Sequence, residues 1–211
     1  MAAALTLVLT GLVVPLAQAA EAPAYAFTGS GIYFGDAPVT VGFIFTAQQA
    51  MPLSALGFYD HQQDGLNQAH ELALFSSSGT LLATATVAAG TSAPLIGEYR
   101  YATLGSTFML QADTQYVLAA QTEATDGYRF ASAPLPTLTV DPRITIGNSA
   151  GVYHYGPSLV FPQTVLYDIY ASPNMLLPAV PEPGTWALML AGVAAVAGLV
   201  RRRRALIAHR D

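Results

Sequence analysis

The 211-residue chain contains no cysteine and no lysine. Without cysteine there is no disulfide framework, no thiolate metal site and no thiol nucleophile. Charged residues make up only 10% of the chain, and every side-chain cation other than histidine is an arginine. Most of those arginines crowd the C-terminus. Between Ala20 and Ala179 only Arg100, Arg129 and Arg143 oppose a larger set of Asp and Glu. That stretch is markedly acidic, which the whole-chain net charge of -5 conceals. A basic nucleic-acid footprint is absent, and no nucleic-acid partner is expected. The 160 residues from Ala20 to Ala179 are ample for one hydrophobic core, so one domain is the default.

The middle of the chain reads as β throughout. Val39, Val41, Phe43 and Phe45 alternate with Thr40, Gly42 and Ile44, which puts an apolar set on one sheet face. Further strands are predicted at Leu53 to Tyr59, Leu72 to Phe75, Leu81 to Val87, Glu98 to Ala102, Phe108 to Leu110 and Gln115 to Ala120. Shorter ones follow at Tyr128 to Ala131, Leu138 to Val140, Arg143 to Ile146 and Val165 to Tyr170. Ser76-Ser77-Ser78-Gly79 and Ala112-Asp113-Thr114 read as turns. Many short strands between Gly, Pro, Asn and Ser, with no convincing amphipathic helix, predict an all-β fold of β-sandwich or jelly-roll type.

Both termini read as targeting elements. Leu5 to Ala17 is apolar and ends in Ala17-Gln18-Ala19, an A-x-A site that predicts a Sec signal peptide over 1–19. No Lys or Arg precedes the apolar stretch, which suggests a start codon assigned too late. At the other end, Val180-Pro181-Glu182-Pro183 leads into the apolar run Trp186 to Val200 and then Arg201-Arg202-Arg203-Arg204. Fifteen helical residues span about 22 Å, short of a hydrocarbon core of about 30 Å. Interfacial Trp186 and snorkelling arginines make up part of the difference, so a single transmembrane helix over 186–200 is expected. The arginines place the 201–211 tail on the cytoplasmic side. Pro181 and Pro183 keep the approach to the membrane extended.

That tail resembles the PEP-CTERM sorting signal of Gram-negative bacteria that make exopolysaccharide. The resemblance implies exosortase as partner, a membrane-embedded cysteine transpeptidase that recognises the tail and removes it, as the hydrophobic tail of a GPI signal is removed. A permanent, uncut anchor is the alternative from hydropathy alone. Within the domain, Leu56-Gly57-Phe58-Tyr59-Asp60, Asp64-Gly65-Leu66 and His70-Glu71-Leu72-Ala73-Leu74-Phe75 are followed by Ser78-Gly79-Thr80-Leu81-Leu82-Ala83. With Leu110-Gln111-Ala112-Asp113-Thr114-Gln115-Tyr116-Val117, these resemble an uncharacterised β-sandwich domain of PEP-CTERM and other secreted bacterial proteins. The likeness covers about Val41 to Phe130 and implies no activity. The expected division is signal peptide 1–19, sandwich 20–175, linker 176–185, membrane segment 186–200 and basic tail 201–211.

Few residues invite chemistry. The loop from Asp60 to His70 is the densest polar cluster. Asp60, Asp64 and Asn67 offer hard oxygen ligands and Gly65 permits a sharp turn, so calcium is the candidate ion. The plain alternative is a turn whose Asp and Asn side chains satisfy backbone groups. A transition metal on His61 and His70 lacks a well-spaced third ligand. Gly147-Asn148-Ser149-Ala150-Gly151 matches G-x-S-x-G formally, but no helix follows and the only histidine after the downstream Asp168 is His209, in the basic tail, so the match is rejected. No catalytic residue is assigned. Glu98, Glu123 and Asp126 show no acid–base spacing, and glycan hydrolysis by converging carboxylates stays as the third reading. Tyr99, Tyr101, Tyr128, Tyr153 and Tyr155 are either core or a sugar-stacking surface. The favoured expectation is a non-enzymatic exported protein, held in the inner membrane as a precursor and then sorted to the cell surface or exopolysaccharide matrix. The second is a carbohydrate- or calcium-dependent adhesive module.

Overall fold

The computed structural model describes residues 21–27, 31–33, 37–132, 138–166, 168–178 and 189–197. The chain divides into a unit formed by Glu21–Ala179 and a second that gathers Met1–Ala20 with Val180–Asp211. The first is all-β. Its strands are β1 (Glu21–Pro23), β2 (Tyr25–Phe27), β3 (Gly31–Tyr33), β4 (Val39–Ala47), β5 (Met51–Tyr59), β6 (His70–Ser76), β7 (Leu81–Val87) and β8 (Leu95–Ile96). They continue as β9 (Tyr99–Leu110), β10 (Thr114–Thr122), β11 (Tyr128–Ser132), β12 (Leu138–Val140), β13 (Ile144–Tyr155), β14 (Thr164–Leu166), β15 (Asp168–Tyr170) and β16 (Pro173–Pro178).

Two larger sheets build the core. One runs β1-β16-β5-β9-β8 and the other β14-β13-β4-β10-β6-β7. Phe43, Phe45, Leu72, Leu74 and Leu118 of the six-stranded sheet share one buried cluster with Leu53, Leu56, Phe58 and Met175 of the five-stranded sheet. Each such side chain contributes roughly 1.5–3 kcal/mol when fully buried. The alternation in β4 is as predicted: Val39, Val41, Phe43 and Phe45 are all buried. Thr40 and Gly42 are buried as well, because the opposite face of this sheet is covered. There Ala73, Phe75, Val117, Ala119 and Val152 pack against Leu159 and Phe161 of the connection after β13. Thr40 is satisfied in place, its hydroxyl donating to Gln121 Oε1 at 2.8 Å. Gly42 has no room for more: a Cβ there would lie 2.0 Å from the Leu118 carbonyl oxygen.

Several predicted boundaries are corrected. The strands predicted at Glu98 to Ala102 and Phe108 to Leu110 are joined in one, β9, which starts at Tyr99 with Glu98 in the turn before it, and its register slips between Leu53 and Ala55 of its partner β5. Leu104 to Thr107, including Gly105-Ser106, drop out of the ladder there, and pairing with β5 resumes at Phe108, as in a β-bulge. Arg143 to Ile146 is the start of twelve-residue β13. That strand runs through Gly147–Gly151 with an irregularity opposite β4, so the formal G-x-S-x-G lies within a sheet rather than at a strand-to-helix elbow. Val165 to Tyr170 divides between β14 and β15, which belong to different sheets. β1, β2, β3, β8 and β16 were not predicted; they are short or hold proline, which weakens the period-two signal. β16 reaches Pro178, inside the expected linker 176–185.

In the second unit the described residues are a helix over 189–197, within the expected 186–200. Among the described residues no helix is long and apolar enough to cross a membrane. The expected signal peptide 1–19, Val180 to Pro183, Trp186 and Arg201 to Arg204 lie outside the described residues.

Candidate functional site

The loop between β5 and β6 is built around two buried carboxylates. Asp60, 1% exposed, receives the Arg100 Nε–H at 2.6 Å. Both Asp60 oxygens also accept from the Gly65 N–H at 3.2 Å, which closes the first half of the loop. Arg100 in turn donates to the carbonyls of Thr91 and Ala93, at 3.0 Å each. Gln62 and Gln63 take left-handed backbone angles (φ 66 and 63), the strained conformation that this tight closure imposes.

Asp126 organises the second half. Its Oδ1 accepts from Asn67 N at 3.0 Å and Asn67 Nδ2 at 2.9 Å, and its Oδ2 from Gln68 N at 3.2 Å. The buried His70 ring bridges Asp126 Oδ2 at 2.8 Å and the Gln121 carbonyl at 3.0 Å, and stacks on Phe58 with ring centroids 3.7 Å apart. Burial pushes the Asp126 carboxyl upward. The hydrogen bonds from His70 and Asn67 outweigh it and hold the group below the ordinary carboxylate range. Between the two halves lies a shallow cleft of about 190 Å³, lined by His61, Asp64, Asn67 and Thr125 among others.

This geometry decides how the predicted ligands are used. A calcium ion needs Asp60, Asp64 and Asn67 to converge on one point. Asp60 is instead matched by Arg100, and the Asn67 amide by Asp126 and the Thr125 carbonyl; Asp64 is exposed. The turn reading is the one these contacts support. Both His70 ring nitrogens face protein acceptors, the Gln121 carbonyl and Asp126 Oδ2, rather than turning toward His61. Among the described residues no group of three His, Asp or Glu is arranged to hold a metal ion.

The remaining arginines follow the same rule. Arg129 pairs with Glu98 and lies 4.7 Å from the Tyr59 ring centroid, while Arg143 pairs with Asp141 at 2.7 Å. All three cations of the β unit are thus held by its own carboxylates. The sequence reasoning missed Arg100 and Asp126 as the partners that build the loop. A signal was present: Tyr99-Arg100-Tyr101 and Tyr128-Arg129-Phe130 set arginine inside aromatic strands, where a buried charge needs an acid. Of the five tyrosines, Tyr99 and Tyr101 are core and Tyr128 is buried. Tyr155 is 70% exposed, its ring edge-on to Tyr153 at 5.3 Å, and Tyr153 continues to Tyr170 at 6.3 Å.

The all-β unit with two larger and two smaller sheets falls within a known family. Residues 29–171 match the domain of unknown function DUF4082, and the chain belongs to that family. Residues 179–204 match the PEP-CTERM protein-sorting motif, which marks the chain as a PEP-CTERM protein carrying an uncharacterised domain. The motif supports sorting by exosortase and an exported, cell-surface-targeted protein. No curated protein matches the chain.

Proposed function

We propose that this chain is a non-enzymatic β-sandwich protein of a Gram-negative bacterium. A Sec signal over 1–19 exports it, and a membrane segment over 186–200 with Arg201 to Arg204 behind it holds the precursor. Exosortase then delivers it to the cell surface and exopolysaccharide matrix. The observation that carries this is the sorting-motif match over 179–204, which includes Val180 to Pro183 and the arginine cluster. The shared core of the two larger sheets supports the sandwich. The non-enzymatic reading draws on the two loop carboxylates, since Asp60 and Asp126 are both committed to fixed protein partners. Deleting Val180 to Asp211 is expected to abolish membrane retention of the precursor in cell fractionation. Unchanged fractionation would refute the reading.

One observation favours a finer role. Tyr155 offers an exposed ring at the end of a tyrosine row, a surface suited to stacking on a neutral sugar ring. The acidic unit, with its arginines internally paired, is unsuited to direct attraction of an anionic glycan. Retardation of the protein in gels containing a neutral matrix polysaccharide, lost in Tyr155→Ala, is the expected result. Equal mobility with and without polysaccharide would remove the adhesive role.

A further inference from the structure

We propose that β7 pairs edge to edge, antiparallel, with β7 of a second copy of this chain, in a register centred on Ala85. The pairing is independent of the sorting motif and follows from how the sheets of the β unit end.

The two larger sheets end in four edge strands: β1, β8, β14 and β7. An open edge presents unpaired N–H and C=O groups, which proteins guard by shortness, charge, proline or a cover. β1 and β14 have three residues each and β8 has two, and β1 also carries Glu21 and Pro23. β7 has seven residues, Leu81 to Val87, with neither a charge nor a proline. One side of its backbone pairs with β6. Among the described residues no backbone hydrogen bond reaches the other side. Ala83 and Ala85 stand opposite Leu74 and Leu72, which are fully buried, yet both alanines stay partly exposed. This edge is open to solvent.

Charge selects the occupant. The β unit is acidic, so two copies repel wherever their carboxylates meet. From Leu72 to Gly97 there is no charged residue and no histidine. The open edge is therefore where a second copy meets little repulsion, and a basic partner would find no carboxylate on the strand to hold it. The carboxylate beside the edge is Glu71, opposite Thr86 on β6. In the paired sheet the two copies of Glu71 stand three strand spacings apart, about 14 Å, beyond a screening length of about 8 Å.

The register comes from the strand itself. Pairing with β6 slips at Leu82, so regular geometry runs from Ala83 to Val87. Centred on Ala85, that segment matches its own copy. Ala83 meets the partner's Val87, Thr84 meets the partner's Thr86, and Ala85 meets the partner's Ala85. Directly opposed residues share a sheet face, so core-facing residues meet core-facing residues and the exposed threonines pair with each other. Two-fold pairing of this kind closes on itself. The joined sheet ends at both sides in three-residue β14, which is too short to recruit a third copy.

The test uses the full-length protein, in its native cell envelope and in detergent micelles. Ala85→Cys puts the only cysteine of each chain on the two-fold axis, within disulfide reach of its copy. Under mild oxidant the linked dimer should form roughly tenfold faster than with Thr86→Cys, which is off register, or with Val165→Cys, exposed on β14. Ala85→Lys and Ala85→Glu set like charges against each other on the axis, while in a single chain the side chain escapes past the open edge. By light scattering in micelles, each variant alone should be monomeric at a concentration where the wild type is a dimer. An equimolar mixture of the two should recover the dimer, which separates a lost contact from a lost fold. A monomeric wild type, a dimer indifferent to both charge substitutions, or crosslinking no faster at Ala85 than at Val165 would each overturn the pairing.

Discussion

Replacing Asp60 by Asn tests what the β5–β6 loop is for. The carboxylate is 1% exposed, 2.6 Å from Arg100 Nε and bonded to the Gly65 N–H. Asn keeps the shape and one acceptor but leaves the guanidinium buried without its counter-charge. Removing one partner of a buried ion pair costs about 3–5 kcal/mol. Against a total stability of about 5–15 kcal/mol this is a large fraction. At about 2–4 °C per kcal/mol for a domain of this size, the melting temperature should fall by roughly 10 °C. The loss should be the same in millimolar calcium and in chelator, because Arg100 already neutralises the carboxylate that calcium would use. A site that binds only the folded state would instead gain about 2.7 kcal/mol at a hundredfold excess over its Kd. The assay is urea and thermal unfolding of wild type and Asp60→Asn, each with calcium and with chelator. A cost under about 1 kcal/mol would refute the ion-pair argument, and a calcium-dependent rise that Asp60→Asn abolishes would establish a metal site.

Other outcomes follow from the same geometry. Burial raises the hydroxyls of Tyr25, Tyr99 and Tyr101, so stability is complete below the unfolded value of about 10 and falls above it; at pH 11 the three together should lose about 4 kcal/mol, read from urea midpoints and tyrosinate absorbance. Tyr101→Phe should be neutral or stabilising by about 1 kcal/mol, since its buried hydroxyl has no hydrogen-bond partner, whereas Tyr99→Phe loses a 2.8 Å bond to the Ala171 carbonyl and should destabilise by about 1 kcal/mol. Asp126 is held below the ordinary carboxylate range, so its contribution is present above about pH 4 and lost as pH falls through its lower folded value; Asp126→Asn should flatten that acid limb in pH-dependent melts. Gly42→Ala should cost about 3 kcal/mol or more, measured by urea unfolding, because the added methyl meets the rigid backbone of β10.

The strands that were legible carry their own signal. β4 shows alternation over its length, and β7 is bounded by Ser-Gly on one side and small residues on the other, so both could be read locally. β16 could not, because Asn174 and two prolines interrupt its pattern. Asn174 is tolerated there since its amide reaches the Tyr25 carbonyl, a contact 149 positions away in the chain. The loop at 60–70 was visible as a polar cluster, but its chemistry was not. Asp60 meets Arg100 across 40 positions and Asp126 meets His70 across 56. Neither partner stands at a spacing that a motif would encode.

The sequence by itself determined the all-β class and the C-terminal address, because both are written in contiguous, local chemistry: residue alternation in one case, and Pro-Glu-Pro, an apolar run and arginines in the other. Only the tertiary structure decided which carboxylate meets which cation, whether the polar loop is a set of ligands or a braced turn, and that β1 pairs with β16. Those outcomes depend on which distant segments the shared core brings together. Local pattern shows which side chains want burial; the packing of whole sheets settles whom each polar group finds when it arrives.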